Sequence, residues 1–271
     1  MTKAVRMMRE ELSLVDLVIE LLDARAPQSS RNPDIDELGK NKFRLIILNK
    51  SDLADKEAVD KWREYFKEAG IATVTADSRG RNFVKAVDSS VKEVCREKIE
   101  RDRKRGIKNR PVRAMVCGIP NVGKSTFINS FVGKTTAKTG NKPGVTRGKQ
   151  WIRLNDSLEL LDTPGILWPK FEDKSVGIKL AMLGTINDNI IDTQDLAIHI
   201  IEYLKSAYPG TLNSRYDICE DKSNPDILTD IAINRKAIKK GEEPDTEKAA
   251  FYLTDDFRSG RLGRISLELP Q

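Results

Sequence analysis

The sequence predicts an α/β fold: a doubly wound, mostly parallel sheet over residues 1–174, then a small helical domain over residues 175–271. Two features carry this expectation. Short apolar runs alternate with amphipathic stretches through the first part, the pattern of strands joined by crossover helices. Beyond Pro169 apolar residues recur instead at helical spacing. With 271 residues, 39% of them hydrophobic, the chain is long enough to bury a core in each part.

The elements follow in order. LSLVDLVIELLDA, Leu12 to Ala24, passes from helical spacing into a continuous apolar run, and FRLIILN, residues 43–49, is a second such run. Both read as strands buried on two faces. DKEAVDKWREYFKEAG, residues 55–70, reads as a helix stopped by Gly70. A strand from Ile71 to Ala76, one helix from Asn82 to about Arg105, the strand VRAMVCG, a helix starting near Lys124 and the strands QWIRLN and LELLD complete the first domain. In the second, SVGIKLAMLGTI and DLAIHIIEYLKSA read as helices, and RISLEL near the end is the single strand-like run.

The net charge of +6 is unevenly placed. Residues 96–110, REKIERDRKRGIKNR, hold eight Lys/Arg against three Asp/Glu, whereas residues 175–271 hold twelve against sixteen. The basic stretch fits either a polyanion partner or a solvated, salt-bridged helix face, and the local patch NRKAIKK at residues 234–240 has the same two readings. No apolar run reaches the roughly 18 residues of a membrane span, and MTKAVRMMREE lacks the apolar stretch of a signal peptide. A cytosolic protein is expected. Cys95, Cys117 and Cys219 have neither zinc nor disulfide spacing and are expected as buried free thiols. His199, the only histidine, lies on a helical stretch and is expected to be structural.

GIPNVGKST, from Gly118, fits the phosphate loop G-x-x-x-x-G-K-[ST] and lies between a strand and a helix, as that motif requires. Backbone N–H groups of Asn121, Val122, Gly123, Lys124, Ser125 and Thr126 can curl round phosphates at a helix N-terminus. Lys124 would reach the β and γ oxygens, and the Ser125 hydroxyl would ligate Mg²⁺. DTPG, residues 162–165, offers Asp162 as a second Mg²⁺ carboxylate and the Gly165 N–H as a γ-phosphate sensor. Between them, in KPGVTRG, Thr146 is the candidate switch threonine for Mg²⁺, with Thr139 also in reach.

NKSD, residues 49–52, ends an apolar strand. Asp52 can accept from guanine N1–H and the 2-amino group, Asn49 can bond the far edge of the base, and the Lys50 stem can lie over its face. Adenine would leave the carboxylate unpaired, so GTP is expected over ATP. Asp77 and Ser78 in TADS are the candidates for a second base-contacting loop. The parts of a GTPase are therefore present in rotated order, with base reader before phosphate loop. A parallel sheet tolerates this if residues 96–110 join the former termini, since permutation succeeds at exposed connections.

With LLDARAPQSSRNP, LNKSD, GIPNVGKST, TGNKPGVTRG and LELLDTPGILWPKFED, the chain resembles the circularly permuted P-loop GTPases, most closely the ribosome biogenesis GTPase A family. The resemblance covers residues 21–173; beyond Lys174 it is one of architecture. It implies GTP binding, slow hydrolysis with Mg²⁺, late assembly of the large ribosomal subunit, and a C-terminal domain on rRNA. A monomer is expected. Asn121 matches the residue that helps hold K⁺ in related GTPases. Family members carry Phe-Pro-Gly-His ahead of the position of Met1, so a shortened N-terminus is expected and no role of that His is carried over. Ile166 stands where familiar GTPases place a water-orienting Gln, so hydrolysis needs help from elsewhere. Two other readings stay open: a GTP-gated RNA binder with negligible hydrolysis, and a nucleotide kinase, which NKSD argues against.

Overall fold

The structure, a computed structural model, describes residues 10–76, 82–107, 110–132, 150–162, 173–186 and 191–270. The chain divides into two compact units, one of Met1–Lys170 with Glu268–Gln271 and the other of Phe171–Leu267.

The first unit is built on a six-stranded sheet of β1 (Leu17–Asp23), β2 (Phe43–Asn49), β3 (Ala72–Ala76), β4 (Val112–Cys117), β5 (Gln150–Arg153) and β6 (Leu158–Asp162). Its order is β3-β2-β1-β4-β6-β5, parallel except for β5, which pairs antiparallel with β6. Every residue of β1 is buried, which requires cover on both faces of the sheet and explains an unbroken apolar run. Two short helices, α1 (Pro27–Ser30) and α2 (Asp34–Leu38), follow β1.

The helix α3 (Lys56–Glu68) shows how sequence sets one packed face. The Asp55 carboxylate caps it, accepting from the N–H of Glu57 at 2.8 Å and of Ala58 at 3.2 Å. Ala58, Val59, Trp62 and Phe66 recur at helical spacing and are buried, packing with Leu22, Ile46 and Leu48 of the sheet. Gly70, with φ of 70°, ends it in a left-handed conformation that suits glycine. Phe66→Ala in this core would cost about 3–5 kcal/mol.

The expected single helix over 82–105 is two helices, α4 (Phe83–Val94) and α5 (Arg96–Lys104), broken at Cys95. The helix α6 (Lys124–Val132) follows the phosphate loop.

The second unit contains α7 (Lys174–Met182), α8 (Thr193–Ala207), α9 (Thr211–Tyr216), α10 (Asn224–Asn234) and α11 (Thr246–Arg258). Asp192, Ser223 and Asp245 cap α8, α10 and α11, whose apolar stripes pack on one another. Asp256 ties this unit together: Arg215 and Tyr216 donate to it at 2.8 and 2.9 Å, Arg235 at 3.0 Å, and Arg261 also pairs with it. Burial pushes this carboxyl up, but the hydrogen bonds from Arg215, Arg261 and Tyr216 outweigh it and bring it down to about 2.

Three further expectations need correction. RISLEL is not a strand: the Ser266 carbonyl accepts from the Tyr208 hydroxyl at 3.2 Å and its N–H donates to the same oxygen at 2.9 Å, so side chains satisfy this backbone where a ladder was expected. The last four residues belong to the first unit, because the Glu268 carboxylate accepts from the Ser29 N–H at 2.8 Å and hydroxyl at 2.7 Å while Trp62 Nε1 donates to the Glu268 carbonyl. Of the three thiols only Cys95 is buried; Cys117 is half-buried and Cys219 exposed. Among the described residues no helix is long and apolar enough to cross a membrane.

Candidate nucleotide site

The chain runs outward from β1 to β3, then returns to begin again at β4 beside β1. Between β1 and β4 the winding reverses, and the crevice outside the carboxyl ends of strands at such a reversal is where open α/β sheets bind ligands. NKSD leaves β2 and GIPNVGKS leaves β4 at that same edge, since these strands are parallel through β1.

In the phosphate loop the geometry depends on glycine. A Cβ on Gly118 would lie 2.7 Å from the Leu21 carbonyl oxygen and 2.9 Å from Val122 Cγ1, so only glycine fits against β1. Asn121 and Gly123 have φ of 57° and 103°, which curls the backbone before α6 begins at Lys124. Val122 is buried, while Lys124, Ser125 and Thr126 stand half-buried in the first turn of α6. A helix N-terminus fed by a left-handed turn presents N–H groups and partial positive charge, as an anionic phosphate chain needs.

The base reader is fastened to this loop. Asn49, buried at the end of β2, donates through Nδ2 to the Val122 carbonyl at 2.8 Å. Lys50, with φ of 57°, donates to the Asn121 carbonyl at 3.2 Å and to Asp23 Oδ2 at 3.0 Å. Asp52 is half-buried in the turn that follows, closed by the Leu53 N–H on the Lys50 carbonyl at 3.0 Å.

Asp23 is the residue that sequence reasoning missed. The register of β1 on β2 sets it opposite Asn49. Its carboxylate accepts from Arg25 Nε and Nη2, each at 2.9 Å, as well as from Lys50. Burial alone pushes this carboxyl up, but the charges and hydrogen bonds of Arg25 and Lys50 outweigh it and hold it well below the usual carboxylate range. The available signal was an acidic residue ending a buried apolar strand two positions before an arginine.

For Mg²⁺ the residues fit in part. Ser125 lies in the first turn of α6, and Asp162 ends β6, whose Leu161 pairs with Met115 of β4, the strand feeding the phosphate loop. Serine and aspartate offer hard oxygen donors of the kind Mg²⁺ takes beside substrate phosphates. Asp77, Ser78, Thr146, Gly165, Thr139 and Ile166 lie outside the described residues.

The comparisons with known proteins agree with this geometry. The family described as "50S ribosome-binding GTPase" matches residues 113–235. Ribosome biogenesis GTPase A of Priestia megaterium is 46% identical, over 100% of this chain and 94% of that protein. Its namesake in Thermotoga maritima is 31% identical, over 99% and 92%. The crystal structure of GNP-bound YlqF from T. maritima superposes with a TM-score of 0.69 at 28% identity, covering 100% of this chain and 99% of that one. NKSD and a phosphate loop in rotated order, on this sheet and with relatives matched over nearly their whole length at this identity, have one account: the chain is a GTPase belonging to the ribosome biogenesis GTPase A family.

Proposed function

We propose that this protein binds and hydrolyses GTP during late assembly of the large ribosomal subunit, its nucleotide state controlling binding to the ribosome and rRNA. The observation that carries the reading is the pair of bonds, Asn49 to Val122 and Lys50 to Asn121, that makes base reader and phosphate loop one unit. The name of the matching family, "50S ribosome-binding GTPase", supports the partner.

In this reading Asn49, Lys50, Asp52, Asp77 and Ser78 hold guanine, and residues 121–126 hold the phosphates. Lys124 steadies the β and γ oxygens, Thr146 closes over them, and the Gly165 N–H senses the γ-phosphate. Ser125, Thr146 and Asp162 would hold Mg²⁺, which would supply positive charge beside the phosphates. Potassium beside Asn121 would supply charge that an arginine finger supplies elsewhere. In the sequence DTPG lies only a few residues before Phe171, and in this reading γ-phosphate sensing sets how the helical unit engages rRNA.

The test is GTP turnover in potassium buffer with and without purified large ribosomal subunits. Unaided, the rate should be of the order of 10⁻⁴ to 10⁻² s⁻¹, and the subunit should raise it strongly. Ile166 favours one alternative, a GTP-gated binder with negligible hydrolysis. GTP-dependent subunit binding without stimulation would select that alternative.

A further inference from the structure

We infer that the connector, over its described residues 96–107 and 110, is an RNA-backbone contact surface, on the sheet edge opposite the nucleotide. Arg96, Arg101, Arg103, Lys104, Arg105 and Arg110 are exposed, and among the described residues none of them closes an ion pair. Among the connector's described residues the one buried cation, Lys98, instead anchors the helix, bonding Asp102 at 2.9 Å and lying 3.5 Å from Asp16, just before β1. The inner face of α5 is thus settled, and its exposed cations, with Arg105 and Arg110 after it, outnumber the exposed acids Glu97 and Glu100 by six to two.

Two simpler explanations fail on the same observations. A solvated, salt-bridged helix would look like α3 or α4, where Arg63 pairs with Asp60, Lys67 with Glu64 and Lys92 with Asp88. The groove that reaches Val94 is likewise neutralised, because Arg31 and Arg44 pair with Glu20 and Asp36. The helix dipole accounts for cations in the last turn of α5 and for Arg105 at its C-cap, but not for Arg96 at its first position or for Arg110 beyond its end. Five of the six cations are arginines, whose planar forks suit phosphate oxygens.

Location supports the assignment. Lys98 reaches Asp16 at the start of β1, and residue 110 leads into the start of β4, whereas the nucleotide loops leave the far ends of those strands. Strands of six or seven residues separate the two edges by roughly 20 Å. RNA bound at the connector therefore leaves the GTP site open. The identity of the RNA as ribosomal rests on the proposed function; the surface itself does not.

The test uses the full chain and a variant, Arg101→Gln/Arg103→Gln/Arg105→Gln, with a labelled RNA hairpin of about 16 base pairs titrated across a salt series. The wild type should bind with a steep salt dependence. The variant should bind ~10–100-fold more weakly, with a log–log salt slope shallower by about 2–3, while GDP affinity and unaided turnover stay unchanged. The Arg→Lys triple, which keeps charge and helix, should recover most of the affinity. Equal affinity and slope for wild type and the Gln triple would overturn the inference. So would failure of the wild type to bind the hairpin, and cross-linking of the connector to ribosomal proteins alone would then assign the surface to a protein partner. A parallel sedimentation assay with large subunits separates the two proposals: loss of GTP-dependent subunit binding in the wild type counts against the proposed function, whatever the hairpin shows.

Discussion

Asp23 in the GTPase unit and Asp256 in the helical unit are both buried carboxylates that gather several cations, and both sit below the usual carboxylate range. Their partners differ. Arg25, beside Asp23, is itself 2% exposed, and Lys50 is committed to the phosphate loop as well. Arg215, Arg235 and Arg261, around Asp256, are 30%, 36% and 44% exposed. A cation that can swing into water loses little when its partner is removed, whereas a buried one is stranded. The same chemistry therefore fixes a nucleotide loop in one unit and braces a helical bundle in the other.

The largest effect should come from breaking the first network. Asp23→Asn removes the carboxylate that faces buried Arg25 and Lys50 and should cost about 3–5 kcal/mol of stability. It should also weaken GDP binding roughly tenfold by releasing Lys50. Urea unfolding and a fluorescent-GDP titration read the two, and an unchanged GDP affinity would show that Asp23 does not position the reader. Asp256→Asn should cost less, about 2 kcal/mol, with GDP affinity unchanged.

Acid sharpens the contrast. Both carboxyls are lower in the folded than in the unfolded chain, so each contributes stability that is present above about pH 4 and lost as pH falls through the folded value. For Asp256 that loss is largely over once pH has fallen to its folded value of about 2. Hydrogen exchange at pH 6 and 2.5 should show the acid-induced loss of protection shrink in the helical unit for Asp256→Asn and in the GTPase unit for Asp23→Asn, each in its own unit alone. The smallest effect is expected from Glu268→Ala, which removes the two bonds to Ser29 and should cost about 1 kcal/mol in a thermal melt.

The alternation of strands and helices was legible because buried parallel strands must be apolar throughout and amphipathic helices must show a stripe. The phosphate loop and base reader were legible because backbone curl and hydrogen-bond pattern demand particular residues. Asp23 was not, because it lies 27 positions from Lys50 in sequence and only the β1–β2 register makes them neighbours. The break at Cys95 carries no glycine or proline to announce it. NRKAIKK read as a possible helix face, yet α10 ends at Asn234, Arg235 turns to Asp256 and Lys236 adopts φ of 52°, so the exposed lysines lie past the helix. The Asp23 network and the pairing of Arg235 depend on long-range partners that a local pattern does not contain.

The central claim is that NKSD after β2 and GIPNVGKS after β4 form one guanine-specific site. Titrating the Asp52→Asn variant with labelled GDP and its xanthine counterpart tests it most directly. The account expects the order of affinities to invert, with GDP weakened by roughly 10³–10⁴. Unchanged GDP affinity and no gain for the xanthine nucleotide would contradict it.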